Sequence, residues 1–110
     1  MYKVSSLAEE YRKKLITADE AAAMVRPGDR IHYGLGCGTV EDIDEALAKR
    51  ADELHGVEII STVAVRNKPF AVYEATTSNE KVKFASAHFN VFDRLIQHHM
   101  HAFICKFMHL

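Results

Sequence analysis

Apolar and polar positions along this chain follow two periods, and the switches between them divide it into elements. Leu7, Tyr11 and Leu15 recur at helical spacing and predict a short helix over residues 6–14 with one apolar stripe. Thr17 caps a second helix over residues 18–25, because Glu20 completes a capping box three residues on and alanine, the best helix former, dominates the segment. Pro27, Gly28 and Asp29 end that helix and turn the chain into a strand over residues 30–33. The strand runs into glycine at alternate positions, Gly34, Gly36 and Gly38, before Thr39 and Asp42 form a second capping box. Beyond it Ile43, Ala46, Leu47, Ala51 and Leu54 share one face of a helix that opens at Val40 and that Gly56 stops.

The second half repeats the alternation. Residues 57–65 are β-branched enough for a buried strand, and Arg66, Asn67, Lys68 and Pro69 form a loop at its carboxyl end. A short helical stretch over residues 70–75 leads through a polar turn to a third strand over residues 83–88. Asn90 caps a further helix whose apolar residues are Val91, Phe92, Leu95 and Ile96. Residues 102–108, apolar on both alternating sets, read as a fourth strand. Strands alternating with helices predict an α/β fold: a parallel sheet of about four strands with helices on both faces. The last strand then stands without cover, so residues 1–110 are expected to form an incomplete, truncated domain.

Composition narrows the function. With 110 residues, 48% hydrophobic and 26% charged, the chain holds one domain at most. A net charge of -1 offers no basic field for nucleic acid. The first fifteen positions mix Glu9 and Glu10 with Arg12, Lys13 and Lys14, which excludes a signal peptide or membrane span there. Cys37 and Cys105 are too few and too dispersed for a disulfide framework or a zinc site, and a reducing cytoplasm is the expected location.

The glycine loop is the candidate site, since ligands of open α/β sheets bind at the carboxyl ends of strands. Gly34, Gly36 and Gly38 bring bare backbone N–H groups close to a ligand or a second segment; the plainer alternative is a tight strand-to-helix turn. Glu41, Asp42, Asp44 and Glu45 crowd the first turns of the following helix and repel an added anion, so a neutral acyl group fits better than a diphosphate. Cys37 at the same junction invites a thiolate nucleophile, which those carboxylates disfavour. His88 lies near the carboxyl end of the third strand, where it contacts a ligand or is simply a buried, bonded histidine. Arg66 and Lys68 leave the second strand at that edge, as phosphate contacts or as solvated charges. His98, His99 and His101 lack ligand spacing, so no metal site is expected.

Several stretches, in order and with matching spacing, resemble the amino-terminal part of the acetyl-CoA hydrolase/transferase family. They are Pro27 to Asp29, the loop from Gly34 to Thr39, the helix from Asp42 to Arg50, Ser86 to Phe89 followed by Asp93 and Arg94, and the segment from Ala102 to Leu110. Members often carry proline where this chain has Val40 and Cys105, and neither change blocks the fold. The resemblance implies a CoA-transferase-like fold and the transfer of CoA between an acyl-CoA and a short carboxylic acid such as acetate, 4-hydroxybutyrate or butyrate. It implies no resident cofactor, because the coenzyme A thioester enters as substrate. It also implies a nucleophilic glutamate, converted to a glutamyl-CoA thioester, that belongs to a second domain and matches no glutamate here; no catalytic residue is therefore assigned. Gly34, Gly36, Gly38 and His88 are the substrate-binding candidates. The partner is a second copy or a full-length relative, and the alternative to an enzyme fragment is an inactive binding or assembly module.

Overall fold

The computed structural model describes residues 4–38, 40–63, 65, 68–76, 81–88, 93, 94, 104 and 105. In chain order these give α1 (Val4–Lys14), α2 (Ala18–Ala23), β1 (Arg30–His32), α3 (Glu41–Ala48), β2 (Val57–Ser61), α4 (Ala71–Ala75) and β3 (Val82–Ser86). Strands β1, β2 and β3 form a parallel sheet in sequence order, with Ile31 opposite Ile59 and Ile59 opposite Phe84. A two-residue segment, β4 (Ile104–Cys105), pairs parallel with Ala85 and Ser86 of β3. The remainder of the strand expected over residues 102–108 lies outside the described residues, as does most of the helix expected after Asn90, of which Asp93 and Arg94 are helical.

The core lies between sheet and helices. Leu47 of α3, Val72 and Tyr73 of α4, and Val57, Ile59, Val82 and Phe84 of the strands are buried in one cluster that also takes in Ala22 of α2. Tyr73 meets Phe84 edge to face at 5.5 Å between ring centroids. Helix α3 packs beside both α2 and α4. A sheet that grows strand by strand in one direction through right-handed crossovers places successive helices on the same face. Cover on both faces was the expectation; among the described residues α2, α3 and α4 share the core on one face. On the other, Arg30, His32 and Lys83 are exposed and Glu58 and Ile60 half-buried. Arg30 Nε and Glu58 Oε2 form an ion pair there at 2.7 Å.

Local chemistry explains the element ends. The Thr17 capping box is present: Glu20 N donates to Thr17 Oγ1 at 3.1 Å, and Thr17 N donates to Glu20 Oε2 at 2.8 Å. The long helix expected to run to Gly56 stops instead at Ala48, followed by a single 3-10 turn over Ala51–Glu53. Arg50 stands at that break, donating to the Ala22 and Val25 carbonyls at the end of α2 and pairing with Glu53 at 2.9 Å. Guanidinium donors thus satisfy carbonyls that a helix end leaves unpaired. Strand β2 is likewise shorter than the expected 57–65, and the apolar stripe of α1 faces solvent, with Leu7, Tyr11 and Leu15 all exposed.

Candidate functional site

Pairing between β1 and β2 does not stop where the regular strands do. Tyr33 N donates to Ile60 O at 2.8 Å, Thr62 N to Gly34 O at 3.3 Å, and Gly36 N to Val63 O at 2.7 Å. The glycine loop is therefore laid along the carboxyl end of β2. Gly34 (φ 82°) and Gly36 (φ 58°) take left-handed conformations that L side chains rarely adopt. A Cβ on Gly34 would lie 3.1 Å from the Gly38 carbonyl oxygen, and one on Gly38 would lie 3.3 Å from that of Leu35. At Gly36 a Cβ would meet nothing within 4 Å, so this glycine faces open space.

The N–H groups of the three glycines are already engaged. Gly34 N donates to His32 Nδ1 at 3.0 Å, Gly36 N to Val63 O at 2.7 Å and Gly38 N to Leu35 O at 3.1 Å. Donors committed in this way are not aimed at a developing oxyanion. Of the two roles open to the loop, donation and close approach, the geometry leaves room for the second at Gly36.

His32 is the residue that sequence reasoning missed. Because its Nδ1 accepts from Gly34, the ring proton resides on Nε2, which donates to Thr62 Oγ1 at 3.1 Å. One imidazole thus ties the first residue of the glycine loop to the end of β2. The available signal was its place two residues before a glycine, the spacing at which a side-chain acceptor reaches a backbone N–H.

At the end of β3, Ser86 Oγ lies 2.9 Å from the His88 carbonyl and 3.2 Å from Asp93 Oδ2, with Asp93 fully buried. His88 itself is exposed, two residues past the strand, which corrects the alternative of a buried, bonded histidine. Ser61, opposite Ser86, is buried and its Oγ has no hydrogen-bond partner.

The α3 amino end differs from expectation in two ways. The cap position falls on Val40, with no side-chain hydrogen bond; Thr39, which the expected Thr39–Asp42 box requires, lies outside the described residues. Asp44 does not join the exposed Glu41, Asp42 and Glu45 but turns inward. Its Oδ1 accepts from Tyr33 Oη at 3.1 Å and Val72 N at 3.2 Å, and its Oδ2 from Ala71 N at 2.6 Å. A pocket of about 410 Å³ borders Val40, Glu41, Asp42 and Ile43. Cys37 is a free, exposed thiol, and Lys68 is exposed beyond β2. Arg66 and the histidines at 98, 99 and 101 lie outside the described residues, among which no three His, Cys, Asp or Glu side chains gather as a metal site. Among them no helix is long and apolar enough to cross a membrane.

Fold and loop together define a parallel α/β domain whose carboxyl edge is built around glycines in close contact with the neighbouring strand. The chain belongs to the acetyl-CoA hydrolase/transferase family, whose amino-terminal domain matches residues 1–102. It is 58% identical over 53 residues to a probable butyrate:acetyl-CoA coenzyme A-transferase of Syntrophomonas wolfei, a match covering 48% of this chain and 12% of that protein. It is 50% identical over 54 residues to the butyryl-CoA:acetate CoA-transferase of Anaerostipes caccae, covering 49% of this chain and again 12% of the relative. The shared segment is thus a small part of either relative. No solved structure matches the chain at comparable significance.

Proposed function

We propose that this chain supplies the amino-terminal part of a CoA-transferase site, in which CoA passes from an acyl-CoA, butyryl-CoA foremost, to a short carboxylate such as acetate. The carrying observation is family membership together with two relatives, at least 50% identical over the matched segment, whose names specify butyryl and acetyl exchange. In the overall exchange the C–S bond of one thioester is broken and that of another is made. Gly36, open on its outer side, is the floor against which the thioester or the facing segment packs, and His88 is exposed at the same edge. We infer that the chain alone does not turn over, because covalent transfer needs a carboxylate nucleophile and the family's glutamate has no match here. A reducing cytoplasm is the proposed compartment, with two cysteines in the chain and Cys37 free.

Labelled acetate and butyryl-CoA test this reading. The isolated chain is expected to give no labelled acetyl-CoA while still binding butyryl-CoA. Turnover by the chain alone would remove the inference of inactivity, and failure to bind any CoA compound would remove the CoA-transferase reading itself. The exposed stripe Leu7, Tyr11 and Leu15 favours a second reading, an assembly module that pairs with a full-length relative or a second copy. Sedimentation of the chain with and without such a relative distinguishes it.

A further inference from the structure

Two apolar side chains stand in the open where the glycine loop meets the end of β2. Leu35 is 64% exposed and Val65 is 65% exposed. Leu35 precedes Gly36, and Val65 lies two residues beyond Val63, whose carbonyl accepts the Gly36 N–H at 2.7 Å. That bond holds the two segments side by side, so leucine and valine rim the same carboxyl edge. Next to Leu35, Gly36 leaves open space where any other residue would place a side chain. A single exposed apolar residue needs no explanation, but two on adjoining segments, at the edge where ligands of parallel sheets bind, do.

We propose that Leu35 and Val65 form an apolar lip, floored by Gly36, that receives the alkyl chain of a short acyl-CoA and sets a preference for butyryl over acetyl. The proposal rests on the CoA-transferase reading above. Leu35 and Val65 carry no charge, and the exposed Glu41 and Asp42 at the start of α3 repel the phosphates of CoA, so the uncharged end of the thioester is the end that turns toward the loop. Butyryl exceeds acetyl by two methylene groups, and a hydrophobic pocket discriminates one methylene by roughly 10-fold to 200-fold. An open lip acts at the low end for each of the two methylenes, so butyryl-CoA is expected to bind about a hundredfold more tightly than acetyl-CoA.

Both residues are exposed, so Leu35→Asn and Val65→Thr leave the core intact, and an unchanged unfolding midpoint verifies it. The full chain, labelled at leucine and valine methyls, is titrated with butyryl-CoA, acetyl-CoA and free CoA. The expected result is a butyryl-specific shift of the Leu35 and Val65 methyls, with the preference for butyryl-CoA abolished in the double variant. Equal affinity for butyryl-CoA and acetyl-CoA, unaltered by the substitutions, overturns the lip and leaves the CoA-transferase reading standing. Absence of binding by all three compounds overturns both.

Discussion

The Tyr33 hydroxyl donates to Asp44 Oδ1 at 3.1 Å, joining the residue that follows β1 to the middle of α3 within the buried core. The same carboxylate accepts the Ala71 and Val72 N–H groups at 2.6 and 3.2 Å, so it also serves as the amino-terminal cap that Phe70 cannot supply to α4. Tyr33 in turn meets Phe70 edge to face at 5.1 Å. The start of the glycine loop and the start of α4 are thereby fixed to one side chain.

Replacing Asp44 by alanine strands buried donors, each costing about 1 to 3 kcal/mol, and is expected to lower stability by about 3 kcal/mol or more. Tyr33→Phe removes one bond and is expected to cost only about 1 kcal/mol. Urea denaturation of both variants and their double mutant measures the coupling. A loss below about 0.5 kcal/mol for Asp44→Ala, the range of ordinary surface changes, would exclude the capping role.

Gly34 and Gly36 separate strain from contact. Left-handed geometry costs an L residue about 1 to 2 kcal/mol, which is the whole expected cost of Gly36→Ala because its Cβ enters open space. Gly34→Ala adds a 3.1 Å approach to the Gly38 carbonyl oxygen and should be the more destabilising of the two. Equal unfolding midpoints for the two variants would show that the loop relaxes freely. In a full-length family member, valine at the position matching Gly36 is expected to lower kcat more than stability, and a retained kcat would mean that nothing packs closely there.

Much of the fold was legible in the sequence because its signals were local. The Thr17–Glu20 box, the alanine run of α2, and the β-branched stretch that opens at Val57 each state one element without reference to the rest. What the sequence could not state were long-range commitments. Asp44 looked like one more acidic residue of a helix start, and only the packing of α3 beside α4 turns it into a cap for another helix. Arg50 carried no local signal of its role, which depends on the end of α2 coming within reach of its guanidinium. The glycine loop was located correctly as a strand-to-helix junction, yet whether its N–H groups were available depended on β2 and on His32.

The bond from Gly34 N to His32 Nδ1 yields the next prediction. His32→Ala removes the acceptor, and a net hydrogen-bond worth of about 1 kcal/mol corresponds to roughly fivefold faster amide exchange at Gly34. Asparagine restores an acceptor two residues before the amide, so His32→Asn is expected to recover most of the protection. Ring nitrogen shifts in the unmodified chain should report a proton on Nε2. Unchanged Gly34 exchange in the alanine variant would show that the bond contributes nothing to the loop.

The last prediction concerns alkaline pH. Burial raises the Tyr73 hydroxyl above the ordinary tyrosine value, because the phenolate is costly to form beside Phe84 in the core. The unfolded chain releases that proton at about pH 10, whereas the native protein holds it to higher pH. Above about pH 10 the unfolded state therefore binds fewer protons than the native state, and stability falls as pH rises, by at most about 1.4 kcal/mol per pH unit for one group. The contribution is fully present below that range and is lost as pH climbs through the raised native value. Tyr73→Phe keeps the edge-to-face ring contact and removes the titrating group. Urea midpoints of the two proteins, compared at about pH 8 and again above about pH 10, should show a steeper alkaline loss for the wild type, since groups common to both cancel in the difference. Parallel losses across the whole range would mean that the Tyr73 hydroxyl reaches water in the native protein and titrates as it does in the unfolded chain.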